Sequence, residues 1–471
     1  MIESSTDFLF HFLPAVLLLY YLAGWSRFLQ NLILFAASFL FYTWISPAFA
    51  SVLIVFILFN YCMGLFLEAA REKWILCFAL LGNLGTLLGY KYLNFIVETI
   101  NNAAGNKKLF PLLDIVVPMG ISIITLHGIS YVVDVYRDTE KAQKNPFYLG
   151  LYLIFFPKMI QGPITPYSIM AGQIMHRKET GTKFSVGCCR FIVGFSKKVL
   201  LSNQLAGLTE TIFTMQEQGS VSTALAWIGA VSYMLRLYYE LSAYSDMAIG
   251  LALMFGFKMN ENMDYPYLSK SLTEFWRKWN ISLTSWFHEY VFVPLGGRHV
   301  KNKDTVIRNL FIFWLLMGIY YGAGWTFIFF GIYHFVFLLL EIILNFEENN
   351  LKPFIKHLYC LLVVMFGGLL LGIPDLIQVG NYIRAMFGFT KEGLLCASSW
   401  AIVKENCMLL VVGTIFTMPI ARKGNQYLYE KKKGYQVFDI LYPIAMFTLL
   451  FICLHYATDS TYHSMIFRRF S

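Results

Sequence analysis

Residues Ser269 to Arg298 read SKSLTEFWRKWNISLTSWFHEYVFVPLGGR, a polar island in a chain made mostly of hydrophobic runs. Its charged, amide and imidazole side chains are Lys270, Glu274, Arg277, Lys278, Asn280, His288, Glu289 and Arg298. Polar and ionisable groups at membrane depth are costly, so they usually mark a functional site. The stretch therefore favours an active membrane protein over an inert bundle of helices.

The composition of the chain indicates an integral membrane protein. Of its 471 residues, 57% are hydrophobic and only 14% are charged, whereas about a quarter of the residues in a soluble domain are charged. The first apolar run follows Glu3 and Asp7 and lacks the basic start of a secretory signal, so we interpret it as a retained span. We predict an all-helical, multi-pass fold.

The net charge of +9 reflects orientation in a membrane rather than binding to nucleic acid. Lys and Arg collect in short loops between apolar runs, as the positive-inside rule requires. Such loops contain Arg71 with Lys73, Lys141 with Lys144, and Lys431 with Lys432 and Lys433. The acidic N-terminal tail lacks Lys and Arg, and Arg27 follows the first span. The N-terminus is therefore predicted to be extracytoplasmic in a plasma membrane.

The apolar runs predict roughly eleven transmembrane helices, because a span needs about 20 residues and several runs are too short to cross. The short runs are expected to form re-entrant or interfacial helices. Two short runs, Ala224–Tyr239 and Met247–Phe255, flank a polar turn that contains Tyr244 and Asp246. Asp246 either caps the second helix or lines a cavity with its neighbours. The eight cysteines lack metal-ligand spacing, and we predict neither a metal site nor a bound cofactor.

Two further stretches have irregular or amphipathic character. FFPKMIQGPITPY, Phe155–Tyr167, contains three prolines and a glycine, and such backbone is tolerated in lipid only where protein or water covers it. We expect a packed loop or pore wall, with Lys158 and Gln161 as its polar members. In the first half of Leu272–Pro294, large apolar residues recur at spacings of three and four, which predicts that they share one face of an amphipathic helix. These residues are Trp276, Trp279, Leu283 and Trp286. Interfacial anchoring explains these tryptophans and the basic residues beside them, but it does not explain Asn280.

The apolar stretch Ile319–His334 contains three glycines and one imidazole. The glycines allow neighbouring helices to approach closely. His334 is either a satisfied core residue or a functional group, and its position within the membrane favours function.

Several of these motifs occur in one order that resembles the membrane-bound O-acyltransferase family, in its alginate O-acetyltransferase-like branch. The resemblance covers nearly the whole chain. Its motifs are FLFHFLPAVLLLYYL, FYTW at Phe41–Trp44, SYVVDVYR at Ser130–Arg137, FPKMIQGPI, YSDMAIGLALMFGF at Tyr244–Phe257, Asp264–Gly297, and GAGWTFIFFGIYH at Gly322–His334.

The resemblance implies many helices around a tunnel, with an acyl thioester entering from the cytoplasm and an acceptor hydroxyl from the other side. Asn280 matches the family position that follows FWRxW, where the bacterial branch usually has histidine. Tyr321 occupies the place of the histidine in the family's WHG motif. The substrate-contacting residues implied are Gln161, Tyr244, Asp246, Trp276, Arg277, Lys278 and Trp279. The basic pair Arg277 and Lys278 would favour an anionic donor such as coenzyme A or a phosphopantetheine carrier protein.

Tyr321 changes the chemistry of the site. A neutral imidazole can take a hydroxyl proton near pH 7, but an unperturbed tyrosine has a pKa of about 10 and is a poor base. It can instead donate a hydrogen bond to an oxyanion. Three explanations stay open: His334 or His127 supplies the base, the chain binds without catalysing, or Tyr321 was introduced to trap an inactive form.

We therefore expect a single membrane domain over residues 1–471, with N-terminal helices to about 140, a catalytic core over about 141–345, and C-terminal helices beyond it. The expected function is transfer of an acyl group, most simply acetyl, from acetyl-coenzyme A or an acyl carrier protein. The acceptor is an extracytoplasmic polysaccharide or a partner acyltransferase. The alternative is an inactive membrane scaffold of a polysaccharide-modification complex. A transporter would show matching broken helices in two halves, and the sequence lacks such symmetry.

Overall fold

A computed structural model describes residues 5–105, 109–297, 302–420, 422–424 and 435–459. Within these ranges the regular structure is helical, apart from one antiparallel bridge between Met263 and Trp279. The predicted all-helical class is therefore confirmed. Arg298 and the basic run Lys431, Lys432 and Lys433 lie outside the described residues.

The helices follow one another with short connections. The first group is α1 (Leu13–Leu22), α2 (Arg27–Ile45), α3 (Ala50–Ala70), α4 (Lys73–Leu87), α5 (Leu93–Ala103) and α6 (Ile121–Tyr136). The second is α7 (Pro146–Ile154), α8 (Phe156–Met159), α9 (Tyr167–His176), α10 (Gly181–Ser196), α11 (Asn203–Glu217), α12 (Thr223–Met254), α13 (Leu272–Lys278) and α14 (Ile281–Phe287). The third is α15 (Lys303–Tyr321), α16 (Trp325–Ile343), α17 (Pro353–Gly372), α18 (Leu376–Met386), α19 (Ala397–Ile415) and α20 (Tyr435–Asp459).

Six helical stretches in the described part of the chain are long and apolar enough to cross a membrane. They are Arg27–Ile45, Pro47–Ala70, Lys73–Ala103, Trp325–Ile343, Pro353–Gly372 and Leu441–Thr458. The predicted total of roughly eleven spans stays a prediction, as do the domain divisions near residues 140 and 345.

The turns at one end of the helices are joined by ion pairs. Arg71, after α3, pairs with Asp138, after α6, and Arg27, at the start of α2, pairs with Glu179, before α10. A second Arg27 nitrogen donates to the carbonyl oxygen of Arg177 at 2.6 Å. The Arg71 guanidinium, together with the nearby Lys141 ammonium, holds the pKa of the Asp138 carboxyl below its ordinary value. We call this side of the molecule the basic face.

The first re-entrant segment, residues 146–176, enters and leaves at the basic face. Helices α7 and α9 contain 9 and 10 residues, so each rises about 15 Å, half of the about 30 Å of hydrocarbon that a span crosses. The Tyr148 ring lies 6.2 Å from the ring of Phe28 at the start of α2, and Arg177 closes the segment beside Arg27. The packed loop predicted at Phe155–Tyr167 is the buried tip of this segment.

The second re-entrant segment, residues 256–292, begins and ends on the same side. The preceding helix, α12, ends where the carbonyl oxygen of Phe255 accepts a hydrogen bond from Arg177 at 3.1 Å. Beyond α14, a Glu289 carboxylate oxygen accepts one from Arg137, at the end of α6, at 2.7 Å. Helices α13 and α14 contain 7 residues each, so neither crosses a membrane alone.

Helix α12 joins two hydrophobic cores. Its C-terminal half, from Tyr244 onward, packs into a core with α1 to α3 and the first re-entrant segment. Its N-terminal half, from Leu225 to Leu241, packs into a core with α13 to α18. The helix has 32 residues and therefore measures about 48 Å, so one rigid element orients both halves of the molecule.

The predicted break at Asp246 is wrong, because α12 is continuous from Thr223 to Met254. The Asp246 carboxylate accepts hydrogen bonds from Arg190 at 2.9 Å and from Lys197 at 2.6 Å. Arg190 lies in α10, and Lys197 directly follows that helix. Paired charges are tolerated within a membrane helix. The polar residues that suggested a turn form the face of α12 that meets α10.

Helices α15 and α16 form a hairpin that meets at two glycines. A Cβ atom on Gly331 would lie 2.3 Å from the carbonyl oxygen of Trp314, and one on Gly318 would lie 2.4 Å from that of Phe327. Such distances leave no room for a side chain, as expected where small residues bring membrane helices together. The hairpin fixes the position of Tyr321 at its tip.

We expect Gly331→Ala to lower the melting temperature of the detergent-solubilised protein by at least several degrees, because the added methyl collides with rigid backbone. The matched control is Gly207→Ala in α11, where a Cβ would meet nothing within 4 Å and where alanine favours the helix by about 1 kcal/mol. Thermal unfolding of both variants checks this, and equal melting temperatures would contradict the close crossing.

Candidate active site

Asn280 lies at the turn between α13 and α14, in a backbone conformation that few residue types adopt. Its φ and ψ angles are 44° and 53°, in the left-handed region that asparagine tolerates better than most residues. The prediction of one helix through Trp276 and Trp286 is therefore wrong, because α13 ends at Lys278 and α14 begins at Ile281. The break is held by two backbone hydrogen bonds of 3.0 Å, from Asp264 to the carbonyl of Lys278 and from Ile281 to the carbonyl of Asn262.

A buried hydrogen-bond chain joins the two re-entrant segments. The Asn262 side-chain oxygen accepts from the backbone N–H of Ser282 at 3.0 Å, and the Ser282 hydroxyl accepts from the backbone N–H of Ile164 at 3.0 Å. The Asn262 amide donates to the Ser245 hydroxyl of α12 at 2.8 Å. The tips of both segments are thus fastened to each other and to the central helix.

Tyr321 is the last residue of α15 and is buried beside Asn280. Gly322 and Gly324 have extended backbone and separate α15 from α16. The side chains of Asn280 and Trp279 both interact with the Tyr321 hydroxyl. The two positions that the family resemblance singled out therefore meet in space, although 40 residues separate them.

These residues border a cavity of about 90 Å³. Its wall is formed by the tips of the two re-entrant segments, the start of α6, the end of α15 and one residue between α4 and α5. Its polar lining side chains are Lys91, Ser122, Gln161, Asn262, Asn280, Tyr320 and Tyr321. The start of α6 lies about 24 Å along the helix from its end at the basic face, so the cavity is deep in the molecule.

Gln161 is the cavity residue with the most unused hydrogen-bonding capacity. It is 6% exposed, and among the described residues neither its amide nitrogen nor its amide oxygen has a hydrogen-bond partner. A buried polar group without partners is unfavourable. A bound ligand or water in the cavity would satisfy both atoms.

The tryptophans of α13 lie beside the cavity rather than in its lining. Trp276 and Trp279 are buried among aromatic rings, and Trp279 contacts Tyr321. Arg277 is exposed at the surface, and the Lys278 ammonium pairs with Glu274 at 2.7 Å. The structure thus places the basic pair away from the cavity lining, with Arg277 at the protein surface.

Tyr244 and Asp246 do not line the cavity. Asp246 is committed to Arg190 and Lys197, and the Tyr244 ring lies 5.5 Å from the ammonium group of Lys198. Both residues face α10 and the turn that follows it.

The two candidate replacement bases also lie outside the cavity lining. His334 is buried, its Nδ1 lies 3.0 Å from the carbonyl oxygen of Phe330, and its ring packs against Trp276 and Trp314. The His127 ring is buried against Tyr152. Among the described residues, the cavity lining contains no imidazole.

Sequence reasoning missed three residues that shape this site. Lys91 and Asn262 line the cavity, and the Glu341 carboxylate positions α13 by accepting from the backbone of Leu272 at 2.6 Å and of Thr273 at 3.2 Å. Lys91 carried a usable signal, because a lysine within a hydrophobic span is a functional candidate by default. Within the described ranges, no cluster of three or more metal-ligating residues occurs.

The fold and this cavity define a helical membrane protein with a buried polar site, and comparison with known families gives its class. The family model described as "MBOAT, membrane-bound O-acyltransferase family" matches residues 121–370, more than half of the 471 residues. The chain belongs to this family, and it is a multi-pass membrane protein.

Three relatives with different names are similar to this chain, at identities from 27% to 38%. The "Probable alginate O-acetylase" of Pseudomonas aeruginosa is 38% identical over 399 residues, covering 83% of this chain and 75% of that protein. The "Peptidoglycan O-acetyltransferase" of Helicobacter pylori is 31% identical over 71% of this chain and 69% of that protein. The "Teichoic acid D-alanyltransferase" of Bacillus subtilis is 27% identical over 47% of this chain and 58% of that protein.

The turn at Asn280 yields a stability prediction. Asn280→Ala forces an alanine into a left-handed conformation, which costs about 1–2 kcal/mol, whereas Asn280→Gly removes the same amide without that strain. We expect the alanine variant to melt at a lower temperature than the glycine variant in detergent. Indistinguishable melting temperatures would show that the turn relaxes out of the left-handed conformation.

Proposed function

We propose that this protein transfers a short acyl group, most simply acetyl, from a cytoplasmic thioester to a hydroxyl group outside the cytoplasm. The observation that carries the proposal is the cavity between Asn280, Gln161 and Tyr321, at the tips of two segments that both start from the basic face. Short-chain chemistry follows from size, because a cavity of about 150 Å³ holds benzene and this one measures about 90 Å³.

The direction of transfer follows from the charge of the loops. Positively charged turns remain on the cytoplasmic side of a membrane, so the basic face is assigned to the cytoplasm of a bacterial-type plasma membrane and the N-terminus to the outside. The donor is then acetyl-coenzyme A or an acyl carrier protein. Both carry phosphates, and the exposed Arg277 would attract them.

The acceptor is an extracytoplasmic polysaccharide, reached directly or through a second acyltransferase outside the membrane. This is supported by relatives whose names specify alginate, peptidoglycan and teichoic acid. Such polymers present hydroxyl groups to the outer side, opposite the side from which a thioester arrives.

In this proposal, Asn280 and Tyr321 orient the thioester carbonyl by donating hydrogen bonds to its oxygen, which becomes negative during attack. Gln161 supplies a free amide donor and acceptor to the same cavity. Trp276 and Trp279 hold the turn that presents Asn280. His334 is proposed as a packing residue of the α15–α16 hairpin, because its ring lies among aromatic side chains.

A second function, that of a non-catalytic membrane scaffold, is favoured by one observation. Tyr321 stands at the position expected to hold the family histidine, and it brings no efficient base at neutral pH. Retention of a polar cavity with an unsatisfied amide at Gln161 favours catalysis over scaffolding, since a site that binds nothing would be expected to fill with apolar side chains.

We expect Tyr321→His to raise transfer from radiolabelled acetyl-coenzyme A by about 10²-fold, because general base catalysis typically contributes 10²–10⁴-fold. Tyr321→Phe should lower the transfer shown by the unmodified chain, since it removes the phenol donor. Initial rates with purified protein and an extracytoplasmic acceptor measure both effects.

The matched control is His334→Ala, which is expected to lower the free energy of unfolding by up to about 3 kcal/mol while leaving the rate per folded molecule unchanged. Loss of transfer in folded His334→Ala would instead identify His334 as the base. No transfer by the unmodified chain or by Tyr321→His would leave the scaffold as the function.

Donor recognition gives a separate prediction. Arg277→Gln should raise the KM for acetyl-coenzyme A several-fold with little change in kcat, because an exposed charge contributes to encounter and binding rather than to the chemical step. The difference from the unmodified chain should shrink as the salt concentration rises. An unchanged KM at low salt would remove Arg277 from the donor site.

A further inference from the structure

Lys91 is a buried lysine at the edge of the cavity. It lies in the π-helical turn Leu88–Tyr92 between α4 and α5 and is 7% exposed. Its ammonium donates to the Ser122 hydroxyl at 3.2 Å and to the carbonyl oxygen of Tyr320 at 3.0 Å. Both partners line the same cavity as Tyr321. Single π-helical turns occur frequently at functional sites.

The charge of Lys91 has no protein counter-ion in the part of the chain that the structure describes. Its neighbours are the rings of Tyr92 at 5.7 Å and Tyr320 at 5.8 Å, which stabilise a cation only in part. An ammonium group has three N–H donors. Two of them bond to Ser122 and Tyr320, so the third is available to a ligand. A buried unpaired charge is costly, so the arrangement suits a ligand that brings negative charge into the cavity.

We propose that Lys91 is a further catalytic residue, whose third N–H binds the carbonyl oxygen of the thioester as that oxygen becomes negative. The inference rests on the proposed acyl transfer. The acceptor oxygen forms a bond to the carbonyl carbon, and the carbonyl electron pair moves to the oxygen beside Lys91. Collapse then breaks the C–S bond, and the hydroxyl proton ends on the departing sulfur, giving an ester and a thiol.

This role gives selective stabilisation of the transition state. Lys91 acts in this step only as a hydrogen-bond donor, and the negative charge that it stabilises is absent from the neutral thioester. An interaction that strengthens only as charge develops lowers the barrier without tightening ground-state binding. The Lys91 amine, held in place by Ser122 and Tyr320, therefore lowers the barrier by stabilising the oxyanion. This offsets part of the rate that is lost because Tyr321 replaces a basic histidine.

The competing explanation is purely structural, because Lys91 also caps the C-terminal end of α15. The end of a helix leaves carbonyl groups unpaired and favours a cation. The chain offers a matched control for this role: the adjacent Tyr92 hydroxyl donates to the carbonyl oxygen of Ile319 at 2.6 Å, and Tyr92 is absent from the cavity lining. Tyr92→Phe removes a cap of the same helix end without touching the cavity.

The test compares the unmodified full-length protein with Lys91→Met, Lys91→Arg and Tyr92→Phe, each also in a Tyr321→His background. One readout is acetyl transfer from radiolabelled acetyl-coenzyme A. The other is binding of methylphosphonate, a small tetrahedral anion, measured by calorimetry, which needs no turnover. Thermal unfolding reports the loss of the cap in every variant.

We expect Lys91→Met to lower kcat by about 10²-fold, as removal of one oxyanion donor does, with KM for the donor changed less than about twofold. Lys91→Arg should retain more activity, and methylphosphonate binding should disappear only in Lys91→Met. Tyr92→Phe should melt at a lower temperature yet keep kcat and methylphosphonate binding.

The outcomes separate the two proposals. Full kcat in folded Lys91→Met, or equal losses in Lys91→Met and Tyr92→Phe, would overturn the role of Lys91 while acyl transfer stands. No transfer by any variant, with methylphosphonate binding that depends on Lys91, would overturn acyl transfer and keep an anion site at Lys91. Absence of methylphosphonate binding to the unmodified protein would count against Lys91 itself.

Discussion

The site depends on the buried hydrogen-bond chain from Asn262 through Ser282 to Ile164. In a membrane interior, backbone groups that leave a helix must find partners within the protein. Two re-entrant segments expose such groups at their tips, and the Ser282 hydroxyl of the second segment supplies the partner for the Ile164 N–H of the first. The irregular backbone at Asn280 persists because this junction, together with the bridge between Met263 and Trp279, fixes it from both sides.

Those parts of the fold that depend on local composition could be predicted from sequence. The apolar runs predicted the helical class, and the prolines around Gln161 predicted the packed loop. Basic residues such as Arg71 predicted that several loops lie on one side of the membrane. Predictions failed where a distant partner decides the local structure. Asp246 looked like a helix start, but ion pairs with Arg190 and Lys197 keep α12 continuous through it.

The site residues also divide into those that local sequence reveals and those that only distant contacts reveal. Asn280, Tyr321 and Gln161 were found because they belong to motifs that resemble a family, and the structure brings all three to one cavity. Lys91 was detectable from sequence only as a lysine beside a hydrophobic span, because its contacts to Ser122 and Tyr320 join parts of the chain that no local pattern connects. Periodicity likewise predicted one helix across Trp276 and Trp286, since both sides of the break bury the same kind of side chain.

A cavity whose described lining contains no imidazole suits the proposed thioester chemistry for a physical reason. A thiol has a pKa of about 8.5, so the departing sulfur leaves as a stable thiolate and needs no acid at the moment of bond cleavage. In the proposed reaction, two needs remain. The oxyanion must be stabilised, for which Asn280, Tyr321 and Lys91 are the proposed donors, and one hydroxyl proton must be removed, for which the thiolate is the final acceptor. The cavity thus favours charge stabilisation over proton transfer, and this balance fits a family member in which tyrosine stands where a base is expected.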